Sequence, residues 1–184
     1  MQYLFPKQCG IPPVLSKSDA LLEDLADKLG KNGFSISRRI ETEPFALDIV
    51  AARNIFGISK GRMSTFIVVT SMETVKQETF LDFSARATRY LMDNGAIFLT
   101  EELGNRLLVC PTVVSRNVDQ DMKAWLAKAI FKKHLDVFEF PVIVSADERT
   151  THYSRETPVW GGAMFKGVRK FVQENLGTKN VPNQ

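Results

Sequence analysis

The chain has 184 residues and a mass of 20.7 kDa, which fits a single folded domain. Hydrophobic residues make up 44% and charged residues 24% of the sequence, so a disordered or fibrous chain is excluded. Lysine and arginine exceed aspartate and glutamate by 24 to 21, and the resulting net charge of +3 is too small to require a polyanionic partner.

The sequence contains no membrane or export signal that we recognise. No apolar run approaches the ~20 residues that span a bilayer, and the first residues lack the apolar stretch of a signal peptide. Cys9 and Cys110 lie in apolar sequence without CxxC spacing, which favours buried, reduced thiols over a disulfide or a zinc site. We therefore expect a cytoplasmic protein that makes no membrane contact.

The first half of the chain predicts an alternation of helices and strands. Prolines in residues 1–17 indicate an extended N-terminal arm. Ser18 is predicted to cap a helix whose leucines recur at helical spacing and which stops near Gly30. The elements that follow are strands at 34–40, 45–52 and 63–71, a helix at 73–94 and a strand at 96–100.

The second half repeats the alternation without a linker that would divide the chain. Its predicted elements are a strand at 106–114, a helix at 118–135, a strand at 139–145 and a helix at 164–175. The polar segment 147–162 reads as a loop of undetermined role, and 178–184 as a flexible tail. Because a helix joins the third and fourth strands, we expect a parallel crossover in a mixed α/β sheet covered by helices.

Three short motifs follow one another in the first half of the chain. Glu23 lies on the first helix, Gly33-Phe34 and then Arg38 open the first strand, and Leu47-Asp48-Ile49-Val50-Ala51 forms the second. This succession resembles archaeal Holliday-junction resolvases of the PD-(D/E)xK nuclease superfamily. The resemblance covers residues 18–101 and implies a restriction-endonuclease-like core there, with residues 102–177 as a C-terminal α/β extension of the same domain.

The resemblance also implies a metal site. In that superfamily an aspartate on the second strand binds a divalent metal, and a Glu-x-Lys pair on the third strand completes the site. It therefore implies Asp48 as a ligand of Mg²⁺ or Mn²⁺ and Glu23 as a further catalytic residue. Such cations prefer carboxylate oxygens and lower the pKa of an attacking water, which suits phosphodiester hydrolysis.

The third strand departs from the family pattern. Thr70-Ser71-Met72 stands where Glu-x-Lys is expected, and these side chains offer neither a second carboxylate nor a lysine. We therefore predict a catalytically degenerate scaffold. The alternative is an endonuclease in which migrated groups, above all Glu73 and Lys76 near the next helix, replace the missing pair.

Basic residues at several points predict contact with nucleic-acid phosphates, because guanidinium groups bind phosphate bidentately. These residues are Arg38, Arg39, Lys60, Arg86 and Arg89. Structural interpretations also exist: Arg38 and Arg39 line a solvated strand edge, and the helix arginines lie on a solvated helix face. Asp48 pairs with Arg38 or Arg39 across the hairpin, and Glu23 is an exposed helix residue.

Three functions remain open at this point. The leading interpretation is a nucleic-acid-associated protein, with DNA preferred to RNA, that has lost standard catalysis. The second is the metal-dependent endonuclease with migrated residues. The third is a non-catalytic protein-interaction or structural protein, a homodimer through the apolar strands of the second half. Phosphotransfer and nicotinamide chemistry are disfavoured because the sequence has neither a P-loop nor a Rossmann glycine fingerprint.

Overall fold

The computed structural model describes residues 16–56, 62–96, 106–129, 133–134, 137–157 and 162–178. Several predicted parts lie outside the described residues: residues 1–15 of the arm, with Cys9, the strand residues 97–100, Lys60, the loop residues 158–161 and the tail beyond 178. The described elements are α1 (Lys17–Lys31), β1 (Ser35–Ile40), β2 (Leu47–Phe56), β3 (Arg62–Thr74), α2 (Gln77–Leu91) with a π-helical turn (Met92–Ala96), β4 (Arg106–Asn117), α3 (Gln120–Lys128), β5 (Lys133–His134), β6 (Val137–Glu139), β7 (Val142–Ser145), β8 (Thr150–Tyr153) and α4 (Gly162–Leu176).

The α/β class predicted from the sequence is confirmed, because the described strands form one mixed sheet flanked by helices. Its order is β1-β2-β3-β4-β6-β5, with β7 also beside β4 and β8 beside β7. β1, β2 and β3 pair antiparallel, whereas β3 and β4 pair parallel across the α2 crossover. The parallel neighbour of β3 is therefore β4, which begins after the predicted end of the core at residue 101.

Two prolines interrupt the sheet beside β4. β6 pairs with residues 107–109 of β4 and β7 pairs with residues 112–115, so the break falls opposite Pro111. Pro141 lies in the same break, between β6 and β7. A proline has no backbone N–H to donate, so neither residue can continue the ladder there. The sequence predicts one strand at 139–145. The structure has two short strands there, β6 and β7, because the ladder to β4 breaks at the prolines.

Each face of the sheet carries its own apolar core. On one face α1 and α4 cover residues such as Ile67 and Val69, and on the other α2 and α3 cover Phe66 and Val68. The side chains of β3 alternate between these faces, as the period of a strand requires. We call the two surfaces the α1–α4 face and the α2–α3 face.

The ends of three helices differ from the sequence prediction. α1 is capped by Ser16 and not by Ser18, because Asp19 then occupies the third helical position and completes a capping box. α2 begins at Gln77, since β3 continues through Thr74. α3 ends near Ala129, whose ψ of 121° is extended, and β5 lies where the helix was predicted to continue.

The polar segment after β7 is also more regular than predicted. A tight turn leads into β8, which pairs antiparallel with β7. Among the described residues, no helix has both the length and the apolar character that a bilayer crossing demands. Cys110 is buried with no disulfide partner, and burial raises the pKa of its thiol.

Candidate nucleic-acid interface

A groove runs between α1 and the ends of four strands. It consists of two cavities of about 270 and 250 Å³ that share Asp19. It lies at the carboxyl ends of the parallel strands β3 and β4, where open α/β sheets commonly bind ligands. We call it the α1 groove, and it is lined by Ser16, Ser18, Asp19, Leu22, Glu23, Arg38, Arg39, Asp48, Ile49, Ser71, Met72, Glu73 and Arg116.

The β1–β2 hairpin changes face inside this groove. Ile36 packs against the core of the α1–α4 face, but Ile40, four residues later, packs against that of the α2–α3 face. On β2, Ile49 and Leu47 divide in the same way. Residues an even number of positions apart normally share a face, so the hairpin must rotate between them.

Arg39 is the residue at which β1 rotates. Its φ of 53° lies in the left-handed region, which is strained for a residue with a side chain. As a result the consecutive residues Arg38 and Arg39 line the same cavity, and so do Asp48 and Ile49 on the neighbouring strand. The hairpin thus contributes two arginines and one carboxylate to the α1 groove.

Asp48 joins β2 to β3. Its Oδ2 accepts a hydrogen bond from the backbone N–H of Ser71 at 2.7 Å. The predicted ion pair between Asp48 and Arg38 or Arg39 is absent among the described residues. Arg38 pairs with carboxylates of α1 instead. Thr70, which occupies the family's glutamate position, is buried and donates to the backbone oxygen of Ala46 at 2.8 Å.

Arg38 is held by two carboxylates of α1. Its Nη1 contacts Glu23 and its Nη2 lies 3.7 Å from Oδ1 of Asp27. Glu23 and Asp27 are four residues apart, which places them on one side of the helix. Glu23 is exposed, as the structural interpretation of the sequence predicts, and it is also paired with Arg38, which the sequence did not predict.

Arg39 and Arg116 form no side-chain ion pair or hydrogen bond with any described residue. Both act on Asp19, which lies where the two cavities meet. Hydrogen bonds with Ser16 are the main cause of the lowered pKa of Asp19, and the positive charges of Arg39 and Arg116 lower it further. Arg116 also contributes, after Lys17, to the lowered pKa of Asp147. Arg39 and Arg116 thus lie close enough to Asp19 to favour its charged form.

The groove does not supply a convincing magnesium site. Within the described part of the chain, no three His, Cys, Asp or Glu side chains gather in a way that would hold a metal ion. Asp48 already accepts the Ser71 amide, and Glu73 lines the other cavity. Glu73 belongs to β3 and not to the helix predicted to start there. The donor set does not fit the ion that the resemblance implies.

The remaining predicted residues lie away from Asp48. Lys76 precedes α2 and lines a separate cavity with Asp119 and Trp125 of the α3 region. Arg86 and Arg89 are exposed on α2, and Arg86 bonds Asp82 at 3.0 Å. The structure thus brings Glu23, Arg38, Arg39, Asp48 and Glu73 to the groove but leaves Lys76, Arg86 and Arg89 elsewhere.

Sequence reasoning missed Arg116. It follows Ser115 after the apolar run of β4, at the carboxyl end of a strand parallel to β3. The sequence offered a signal for Arg116, because polar residues at the carboxyl ends of parallel strands meet at one edge of the sheet. The prediction ended the strand at Val114 and assigned no role to the residues beyond it.

Neither a protein-family model nor a curated protein matches the sequence. The groove's own geometry must therefore carry the functional argument.

Proposed function

We propose that the protein binds nucleic acid, DNA in preference to RNA, through the α1 groove of a catalytically degenerate restriction-endonuclease-like fold in the cytoplasm. The observation that carries the proposal is the pair Arg39 and Arg116. Both face one groove at the strand ends, and neither is neutralised by a described ion pair. Guanidinium groups in this state are suited to phosphate oxygens.

The order of elements supports the fold named in the proposal. A helix is followed by three antiparallel strands, a second helix and a strand parallel to the third. The nuclease resemblance implies the same kinds of element in the same order, but with its last strand at 96–100, whereas the described parallel partner of β3 is β4. Asp48 lies on the second strand within the groove, as the resemblance requires.

The loss of catalysis is supported by what surrounds Asp48. Thr70 is buried with its hydroxyl bonded to the backbone, Ser71 is neutral, and Lys76 lines a different cavity. Among the described residues, no lysine lines the groove. The described part of the groove thus offers guanidinium groups suited to phosphate without the lysine and the metal ligands that activate a water.

Binding is tested by fluorescence anisotropy at low salt with labelled duplex, branched and single-stranded DNA and with RNA. We expect Arg39→Gln and Arg116→Gln each to weaken binding about tenfold and to reduce the salt dependence by about one phosphate. Arg86→Gln is the matched control, because it removes the same charge from α2. If only Arg86→Gln weakens binding, the interface is on α2 and the α1 groove is not the site.

The same samples separate the two other functions. Cleavage of DNA with Mg²⁺ or Mn²⁺ that Asp48→Asn abolishes would replace our proposal with the endonuclease whose residues have migrated. A chain that binds none of the nucleic acids at low salt, but sediments as a dimer, would instead be a structural homodimer. Sedimentation velocity of the wild-type chain supplies that second measurement.

A further inference from the structure

The acidic residues of α1 have an unusual arrangement opposite the arginines. Asp19, Glu23 and Asp27 recur every four residues, so their carboxylates lie along one stripe of the helix. Like charges at this spacing weaken a helix. The stripe meets Arg38 at Glu23 and Asp27, while Asp19 is bonded to Ser16 at the helix start.

We propose that Glu23 and Asp27 act as an internal competitor for phosphate by holding Arg38 when no ligand is bound. We call Glu23, Arg38 and Asp27 the Arg38 latch. A carboxylate pair presents negatively charged oxygens to a guanidinium group much as a phosphate does. The inference rests on the proposed function, since it takes the α1 groove to be the phosphate-binding surface.

The exposure of the latch allows this exchange. The side chains of Arg38, Glu23 and Asp27 are 40%, 51% and 70% exposed. Ion pairs in contact with solvent are weak, so a phosphate that reaches the groove can displace the carboxylates. Arg39 and Arg116 need no such exchange, because they have no described partner to leave.

The latch predicts selectivity for closely spaced phosphates. A ligand that engages only Arg39 and Arg116 leaves the latch closed, whereas opening it requires another phosphate near Arg38. In this scheme Glu23 lowers affinity, which is the opposite of what a metal-ligating or substrate-binding role requires. The sign of the effect of Glu23→Gln therefore decides between the two roles.

The test measures affinity for short duplex DNA and, separately, for inorganic tripolyphosphate. Glu23→Gln and Asp27→Asn should each tighten binding about two- to fivefold, because each removes an exposed carboxylate that competes with phosphate for Arg38. The salt dependence should rise by up to about one phosphate contact. Thermal melts establish that the exposed substitutions leave the fold intact.

Asp24→Asn is the matched control. Asp24 is next to Glu23 on α1 and changes the net charge equally, but it lies 3.9 Å from Arg149 and, among the described contacts, forms no ion pair with Arg38. Its substitution should leave affinity nearly unchanged. Equal tightening by Asp24→Asn and Glu23→Gln would overturn the latch and indicate a general charge effect.

An Arg38→Gln background completes the test, because without Arg38 the carboxylates have nothing to hold. Glu23→Gln should then give no gain, and a gain that persists overturns the latch. Weaker binding on Glu23→Gln in the native background also overturns it.

If tripolyphosphate shows the expected gain but no nucleic acid binds any variant, the latch stands and the proposed function fails. If DNA binds but Glu23→Gln gives no gain, the proposed function stands and the latch fails.

Discussion

Two pairs of arginines lie on different elements of this protein and have different surroundings. Arg86 and Arg89 are exposed one turn apart on a regular helix, and Asp82 in the preceding turn pairs with Arg86. Arg38 and Arg39 lie at the point where a strand changes face, and they line the same cavity of the α1 groove. Regular helical spacing brings a carboxylate to Arg86, whereas the irregular strand brings two guanidinium groups to one groove.

The regions around the two pairs of arginines also differ in how far apolar side chains fill them. The α2–α3 face is filled by aromatic and aliphatic side chains, with Phe80 and Phe83 fully buried. On the α1–α4 face, apolar packing ends at half-buried Leu22, and the polar groove begins there. We therefore expect substitutions in the first region to change stability and those in the second to change binding.

The largest expected effect comes from Phe83→Ala. Phe83 is fully buried and makes edge contacts with Phe45 and Phe80, with ring centroids 5.9 and 6.4 Å apart. Its removal should lower the free energy of unfolding by about 4 kcal/mol, measured by urea denaturation. Leu22→Ala, at the edge of the groove, is the comparison and should cost much less. A loss below about 2 kcal/mol for Phe83→Ala would show that this face relaxes around the cavity.

Most of the fold could be predicted from the sequence, because periodicity reports burial directly. The alternation of apolar residues located the strands, and helical spacing located α1, α2 and α4. The errors fell where tertiary contacts decide the outcome. β8 was missed because Thr150-Thr151-His152-Tyr153 is polar, and only its pairing with β7 makes it a strand.

The candidate site was less predictable. Glu23, Arg38 and Asp48 were selected through a resemblance, and the structure brings all three to one groove. The partner of Asp48 could not be predicted, because a backbone amide carries no sequence signal. The left-handed φ of Arg39 was equally hidden, since arginine has no preference for that conformation. Whether these residues bind phosphate stays a prediction.

The next effect concerns two side-chain hydrogen bonds that join β2 to β3. Asp48→Ala removes the carboxylate that accepts the Ser71 amide and should cost about 2 kcal/mol of unfolding free energy. Asp48→Asn keeps an oxygen acceptor and should cost less. Thr70→Val removes the bond to Ala46 on the same pair of strands and should cost about 1 kcal/mol. If Asp48→Ala stabilised the protein, the carboxylate would be retained for function at the expense of stability.

A smaller effect tests the strain at Arg39. Glycine adopts a positive φ without strain, so Arg39→Gly should be about 1 kcal/mol more stable than Arg39→Ala. At Ser37, an exposed position of the same strand with an ordinary φ, the order should be reversed because glycine loses more entropy on folding. Chemical denaturation of the four variants measures both differences. The same order at both positions would contradict a left-handed residue at 39.

The smallest effect concerns the polar cluster beside α3. His152 lies 3.0 Å from the Thr150 hydroxyl and 3.7 Å from Glu148, which in turn bonds Lys123 at 2.6 Å. Burial lowers the pKa of His152, and the charges of Lys123 and Arg155 lower it further, while Glu148 opposes them. The unfolded chain therefore binds a proton at higher pH than the folded one does.

Stability from His152 should accordingly be complete above its unfolded pKa of about 6.5 and decline as the pH falls below that value. We expect the free energy of unfolding to decrease between about pH 7.5 and pH 5.5, with a slope below the ~1.4 kcal/mol per pH unit that one proton sets. Urea titrations across this range measure it. His152→Gln should flatten the decrease. The carboxylates with lowered pKa titrate at lower pH than this range; they are Asp19, Asp147 and Glu148. A decrease that survives His152→Gln must therefore come from a group other than His152 and these carboxylates.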